Sequence, residues 1–341
     1  MQLIFFTFLI FNSFAWAQFY PTPNTYFING CRVFNSYTQP IEQFPGERCL
    51  FRDNGDFISS NQTSIKYYTK ENEIKWEITN PFFHHQMNWS TDKQHILAMG
   101  SDLIKRKNET KRVDLFLIID LNGKILKQLS AEKILSEDGA EDINFPLGSF
   151  VNLPVKYEIT HFNSFYEIPI LKNISHPDFL KNSKYILNSV GQGIFLLDKN
   201  LERVHYKAKI KSSLGHAVHD AQVTSKGSII FFNNLSSDLK NKRSLHSTVE
   251  ELFLPSNKVT TLFKAEPQGV FYSKHCGGVQ VLTDDLFFFS HHFSGAFFYS
   301  RSQKDVLFSD YNMFKDGDRL LPSQQIKIEN LADFFDSRKK R

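Results

Sequence analysis

Between Arg48 and Asp310 the chain repeats one unit with variations, and several copies open on a histidine-bearing segment. One copy runs His84-His85-Gln86-Met87-Asn88, then Ile96-Leu97-Ala98-Met99, then Leu115-Phe116-Leu117-Ile118-Ile119, which turns through Asp120-Leu121-Asn122-Gly123-Lys124 into Ile125-Leu126. The next opens at His161-Phe162-Asn163-Ser164 and continues with Tyr185-Ile186-Leu187-Asn188-Ser189 and Gly193-Ile194-Phe195-Leu196-Leu197. A third starts at His219-Asp220-Ala221-Gln222-Val223 and includes Ser228-Ile229-Ile230-Phe231-Phe232. A fourth holds Gly277-Gly278-Val279-Gln280-Val281, Leu286-Phe287-Phe288-Phe289 and Ala296-Phe297-Phe298-Tyr299. Short apolar runs recurring between turn residues predict a ring of β-sheet blades, since one such sheet alone leaves its faces uncovered. In a ring of this kind the innermost strands bring distant histidines to one central site.

A weaker copy precedes these, Cys49-Leu50-Phe51-Arg52-Asp53-Asn54-Gly55-Asp56-Phe57-Ile58 followed by Ile65-Lys66-Tyr67-Tyr68 and Ile74-Lys75-Trp76-Glu77-Ile78. Its Asp-Asn-Gly predicts a tight hairpin, because these residues reach the positive φ of primed turns. A sixth blade is assembled from Arg32-Val33-Phe34 and Pro40-Ile41-Glu42-Gln43-Phe44 with Gln325-Ile326-Lys327-Ile328 from the far end of the chain. Sharing a blade between the termini closes the ring and removes its open edges. The expected fold is therefore all-β, a single six-bladed β-propeller over residues 18–330, followed by a tail at 331–341 with a short helix at 331–335. With 41% hydrophobic and 22% charged residues the chain has the apolar material for such a core and is not a disordered sequence. Most of its 35 phenylalanines fall in the strand runs, as expected of filler between stacked sheets.

Residues 1–17 stand apart as an expected signal peptide. Leu3-Ile4-Phe5-Phe6-Thr7-Phe8-Leu9-Ile10-Phe11 is too short to cross a hydrocarbon core as a helix, and Ala15-Trp16-Ala17 supplies small residues for cleavage before Gln18. The expected location is secreted or periplasmic, with no stable membrane anchor. Export makes a Cys31–Cys49 disulfide an even choice against two free thiols, with Cys276 left as the odd one. The formal net charge of +4 is mild. Its clusters at Lys105-Arg106-Lys107, Lys111-Arg112 and Arg338-Lys339-Lys340-Arg341 read as solvated turns and a terminus, and nucleic acid is not an expected partner.

Taken in order, His84-His85, His161-Phe162-Asn163-Ser164, His219-Asp220-Ala221-Gln222 with Phe232-Asn233-Asn234, and Phe271-Tyr272-Ser273 before Gly277-Gly278-Val279-Gln280 resemble the motifs of the bacterial arylsulfate sulfotransferases, exported six-bladed propellers. The likeness spans Trp76 to Asp310. It implies that a histidine on the channel axis takes a sulfuryl group from a small aryl sulfate ester and passes it to a phenol, with no cofactor and no nucleotide sulfate donor. Further histidines and an arginine would hold the sulfate. Carried onto this chain, His161 matches the histidine of a His-x-Asn motif and His219 that of His-Asp-x-Gln, and both are expected to bind sulfate or exchange protons. His291 and His292 are the nearest candidates for the nucleophile, and His85 and Arg243 for substrate binding, although the loop from Ser236 to Ser244 departs from the family pattern.

The chemistry suits imidazole, which is a competent neutral nucleophile near pH 7 and exchanges protons readily. On a regular strand adjacent residues face opposite ways, so at most one of His84 and His85, and one of His291 and His292, is expected to face the axis. His275 is a lesser candidate, and His95, His176, His205 and His246 are expected at the surface. Two other functions are compatible with the same residues: axial imidazoles as ligands of zinc or copper, and a propeller serving only as a binding scaffold. No Cys-x-x-Cys or carboxylate-rich motif favours the metal.

Overall fold

The computed structural model describes residues 25–36, 39–79, 82–85, 87–106, 109–138, 145–146, 155, 157–172, 175–190, 192–208, 210, 218–234, 247–264, 277–291, 295–310 and 326–339. They form six sheets in a ring, a six-bladed β-propeller. Blade 1 is shared between the ends of the chain. It takes β1 (Thr25–Asn29), β2 (Arg32–Phe34) and β3 (Pro40–Gln43) from the start and β26 (Ile326–Asn330) from the end, with Phe27 opposite Ile328. Blade 2 is β4 (Arg48–Phe51), β5 (Phe57–Ser60), β6 (Ser64–Tyr68) and β7 (Ile74–Thr79). Blade 3 holds β8 (Asn88–Trp89), β9 (His95–Arg106), β10 (Glu109–Asp120) and β11 (Ile125–Ser130), with β12 (Phe145–Pro146) and β13 (Tyr157–Glu158) added. Blade 4 runs β14 (Phe162–Glu167), β15 (Tyr185–Ser189), β16 (Gly193–Leu197), β17 (Val204–Ala208), and blade 5 runs β18 (Val218–Val223), β19 (Ile229–Asn233), β20 (Thr248–Phe253), β21 (Lys258–Phe263). Blade 6 is β22 (Gly277–Val281), β23 (Leu286–His291), β24 (Gly295–Ser300) and β25 (Asp305–Asp310).

Neighbouring blades cover each other's faces, so middle strands such as β5, β16 and β19 are buried along their whole length. That is why Ile229-Ile230-Phe231-Phe232 reads as a continuous apolar run rather than an alternation. Outer strands such as β7 and β11 are largely exposed. The core is accordingly a series of layers between blades. Leu50, Ile58 and Ile65 of blade 2 meet Ile96, Ala98 and Leu117 of blade 3, and Phe231 of blade 5 meets Ile186 and Leu196 of blade 4. At the junction of the first and last blades Phe27 packs on Phe288 and Phe298, with ring centroids 6.0 and 6.3 Å apart.

Several hairpins use one design, a turn closed by an i to i+3 bond with a left-handed residue at its fourth position. Gly55, Asn72, Gly123, Leu201 and Gly227 occupy it. Asp53-Asn54-Gly55 thus makes its hairpin, but positive φ falls on Gly55 and not on Asp53 or Asn54. Among the described residues three helices decorate the ring: α1 (Ala131–Asp138), α2 (Asp178–Lys181) and α3 (Ala332–Lys339). The expected tail is α3, longer than the 331–335 read from sequence, and its Phe334 is buried against Phe44 and Phe51. Cys31 and Cys49 form a disulfide that ties blade 1 to blade 2. The segment expected to be a signal peptide lies outside the described residues. Among the described residues no helix is long and apolar enough to cross a membrane.

Candidate active site

The innermost strands β8, β14, β18 and β22 begin at the same end of the ring, and the segments that open them bring the histidines together. His84 and His85 precede β8 in irregular backbone, with His85 in the left-handed region at φ 54°. Their rings lie edge to face at 4.7 Å, and His85 meets His161 in the same way at 5.3 Å. The two rings touch and do not point to opposite faces, because alternation applies to a pleated strand and this segment is not one. His161 stands directly before β14, beside a bulge where Phe162 pairs Ser189 but Ser164 pairs Asn188. His219 lies on β18 at a second bulge, with one extra residue between the pairs His219–Phe232 and Gln222–Ile230. Asp220, inside that bulge, has φ 55°. Bulges of this kind re-aim side chains and are common beside active sites.

Behind the histidines sits a buried charge cluster that sequence reasoning missed. Arg112 and Asp114 are two apart on β10 and share a face, fully withdrawn from water. The Arg112 guanidinium donates from Nε to Ser101 Oγ at 2.6 Å, from Nη2 to Asp114 Oδ1 at 2.6 Å, and from Nη1 to Glu158. The other Glu158 oxygen accepts from His161 Nδ1 at 2.5 Å. Asp114 also accepts from Thr160 Oγ1 and the Phe162 amide, both at 2.8 Å, and from His84 Nε2 at 3.0 Å. The same His84 nitrogen lies 2.8 Å from the Gly100 carbonyl. The signal for the cluster was two opposite charges at i and i+2 just ahead of the apolar run Leu115–Ile119; sequence reading assigned Lys111-Arg112 to a solvated turn and did not single out Asp114.

Electrostatics follow from this burial. Burial pushes His85 well below the ordinary imidazole value, and the neighbouring His84, His161, Arg112 and His219 push it further. His84 is lowered as well, by burial and then Arg112, with Asp114 opposing. Burial raises the Asp114 carboxyl, but Arg112 and His84 outweigh it and leave the group below the usual carboxylate range. The site therefore presents neutral imidazole at His85 near pH 7, beside a guanidinium already committed to two carboxylates.

Other motif residues fasten the blades. Asn163 Nδ2 donates to the Val218 carbonyl at 3.1 Å. Asp220 accepts from the Val279 amide at 3.0 Å and from Tyr166 Oη, whose phenol is raised well above its usual value by burial and this carboxylate. Gln222 bonds the backbone of the next inner strand twice, to the Val279 carbonyl at 2.6 Å and from the Val281 amide at 3.1 Å. These polar side chains satisfy inner-strand edges that no further strand covers.

His85, His161 and His219 are thus brought together. The backbone of His291, at the end of β23, pairs with Gly277 at the start of β22, and two residues on along β22 the Val279 amide donates to Asp220 of blade 5. His292 and Arg243 lie outside the described residues, as do His246, His275 and Cys276. His176 is corrected: it is buried rather than superficial, with Nε2 3.1 Å from the Lys172 carbonyl, because it fills the space beside the Gly227 turn. Among the described residues no three His, Cys, Asp or Glu side chains converge as a metal-ligand set.

A protein of unknown function from Bacteroides caccae shares the fold at TM-score 0.53 and 11% identity, covering 89% of this chain and 98% of its own. The Pan2 WD40 domain of Neurospora crassa aligns at TM-score 0.42 and 12% identity over 82% of this chain and 72% of its own. The Dos1 propeller aligns at 0.45 and 11% over 85% and 69%. No curated protein matches the chain. The family description "Arylsulfotransferase (ASST)" matches residues 82–312, which hold the segments opening β8, β14, β18 and β22 together with Arg112 and Glu158. This span is more than half of the chain, and the protein belongs to the arylsulfotransferase family.

Proposed function

We propose that the protein is an exported aryl-sulfate sulfotransferase working through a histidine intermediate. One observation carries the reading: imidazoles from three blades, His84 and His85, His161, and His219, converge around a buried charge cluster at one end of the ring, with His85 held uncharged. In the first step a neutral imidazole nitrogen attacks the sulfur of an aryl sulfate ester. The sulfur–oxygen bond to the aryl group breaks, and the departing phenolate takes a proton from an imidazolium, for which His161 and His219 are the candidates. In the second step that imidazole accepts the proton of a phenol, whose oxygen attacks sulfur while the nitrogen–sulfur bond breaks. His291 or His292 is the proposed nucleophile, supported by the pairing of His291 with Gly277 at this end of blade 6. His85 and Arg243 are the proposed sulfate contacts. Export is supported by the apolar run at 3–11 and by a disulfide, a bond of oxidising compartments.

The test is release of nitrophenol from a chromogenic aryl sulfate by purified protein, with and without added phenol. Acceptor-dependent release is expected. His161→Asn and His219→Asn should each lower kcat by about 10²–10⁴-fold, the range for a lost acid–base group. Full turnover in a variant lacking His219, His291 and His292 together would reject the mechanism.

A further inference from the structure

We propose that Glu158 and Arg112 are positioning residues that fix His161 in one tautomer, with the proton on Nδ1 and with Nε2 as its reacting atom. The inference rests on the sulfuryl-transfer reading for its kinetic consequence, but its structural content stands separately. Glu158 is buried and its two oxygens have different partners, Arg112 Nη1 on one side and His161 Nδ1 at 2.5 Å on the other. An ionised carboxylate only accepts, so the nitrogen facing it carries the hydrogen.

Arg112 prevents Glu158 from turning. Its guanidinium is a rigid fork and a pure donor, and each of its three nitrogens is engaged, by Ser101, Asp114 and Glu158. Asp114 in turn accepts from Thr160 and from the Phe162 amide, the residues on either side of His161. The Ile159 amide donates to the Arg112 carbonyl at 2.8 Å, and Glu158 is registered beside Arg112 where β13 meets β10. Residues 158–162 are therefore held to β10 at several points, with His161 inside the held stretch. Two carboxylates share one guanidinium here. The imidazolium that forms when His161 takes the acceptor's proton still donates from Nδ1 to Glu158. Asp114 also interacts with this ring across the cluster, His85 meets it edge to face at 5.3 Å, and His84 and His219 act on His85 in turn.

Replacing Glu158 by glutamine separates a positioning role from a merely structural one. Because Arg112 only donates, it holds the amide oxygen of Glu158→Gln on its own side and turns the amide nitrogen towards His161. Nδ1 must then accept, and the hydrogen moves to Nε2. Nitrogen-15 shifts of the imidazoles in histidine-labelled whole protein report this directly, with the His161 signals identified by their loss in His161→Asn. Recorded at a pH where the ring is neutral, wild type is expected to show Nδ1–H and Glu158→Gln to show Nε2–H. In the assay kcat should fall by roughly 10²–10⁴-fold, as for other wrong-tautomer variants, with KM changed by less than about threefold. Glu158→Asp, which keeps a carboxylate, should retain the Nδ1–H form and recover part of kcat. An Nε2–H tautomer in wild type overturns the proposal, as does Glu158→Gln with Nδ1–H and full kcat. If Glu158→Gln does not fold, the wild-type and Glu158→Asp spectra still decide. Absence of acceptor-dependent turnover in wild type rejects sulfuryl transfer alone, and the tautomers then judge Glu158 by themselves.

Discussion

A buried Asp114 carboxylate with four donors around it illustrates how much single residues carry in this site. Removing its charge leaves the Arg112 guanidinium with Glu158 as its one carboxylate in a water-excluded position, and breaking a buried pair costs about 3–5 kcal/mol. Asp114→Asn should therefore lower the free energy of urea unfolding by about 3 kcal/mol, and an unchanged midpoint would contradict the cluster. The histidines predict a pH effect of definite sign. His84 and His85 have folded-state values below the ordinary 6.5, so the unfolded chain binds protons that the folded chain does not. Stability is full above about pH 6.5 and falls as the pH drops below it. A thermal melt series should show Tm declining from about pH 7 to pH 5, with a shallower decline in His85→Gln. At this scale the sequence displayed His85, His161 and His219 but hid Glu158. It is 46 residues from Arg112 along the chain, outside the strand runs, and no local pattern links the two.

At the scale of the element, the blades were legible because each strand run has a length and a turn chemistry of its own. The inner strands were less so. β8 has two residues, and the histidines before it obey an irregular backbone to which strand alternation does not apply. The bulges that aim His161 and His219 leave no mark in composition, since an extra residue in a ladder is visible only against its partner strand. Gly277 shows how tightly these elements meet. A Cβ there would lie 2.3 Å from the Phe232 ring, and Phe232 is paired directly with His219. Gly277→Ala should cost about 1–3 kcal/mol by overpacking, and it should depress turnover by displacing the His219 strand. Calorimetry together with the nitrophenol assay checks both, and a fully stable variant would place the two blades further apart than described.

For the whole molecule the decisive event is closure of the ring. β26 pairs with β1 across 5 registered residues, Phe27 packs against blade 6, and α3 covers the junction of blades 1 and 2. Arg338 of α3 stacks its guanidinium over Phe44, Phe334 and Phe57 at 5.2, 5.5 and 5.9 Å and donates to the Gly55 carbonyl. The Cys31–Cys49 bond, 18 residues apart in sequence, constrains the unfolded chain near the same junction. The double variant Cys31→Ser with Cys49→Ser should lose about 3 kcal/mol, as expected for a loop of that length, read as a lower urea midpoint. The amino-acid sequence alone determined the repeat, the shared first blade and the identity of most of the histidines, because periodicity and turn chemistry are properties of neighbouring residues. Only the tertiary structure decided which imidazoles meet, which are kept uncharged and which carboxylate faces which nitrogen. Those depend on distances between segments that the chain brings together by closing on itself.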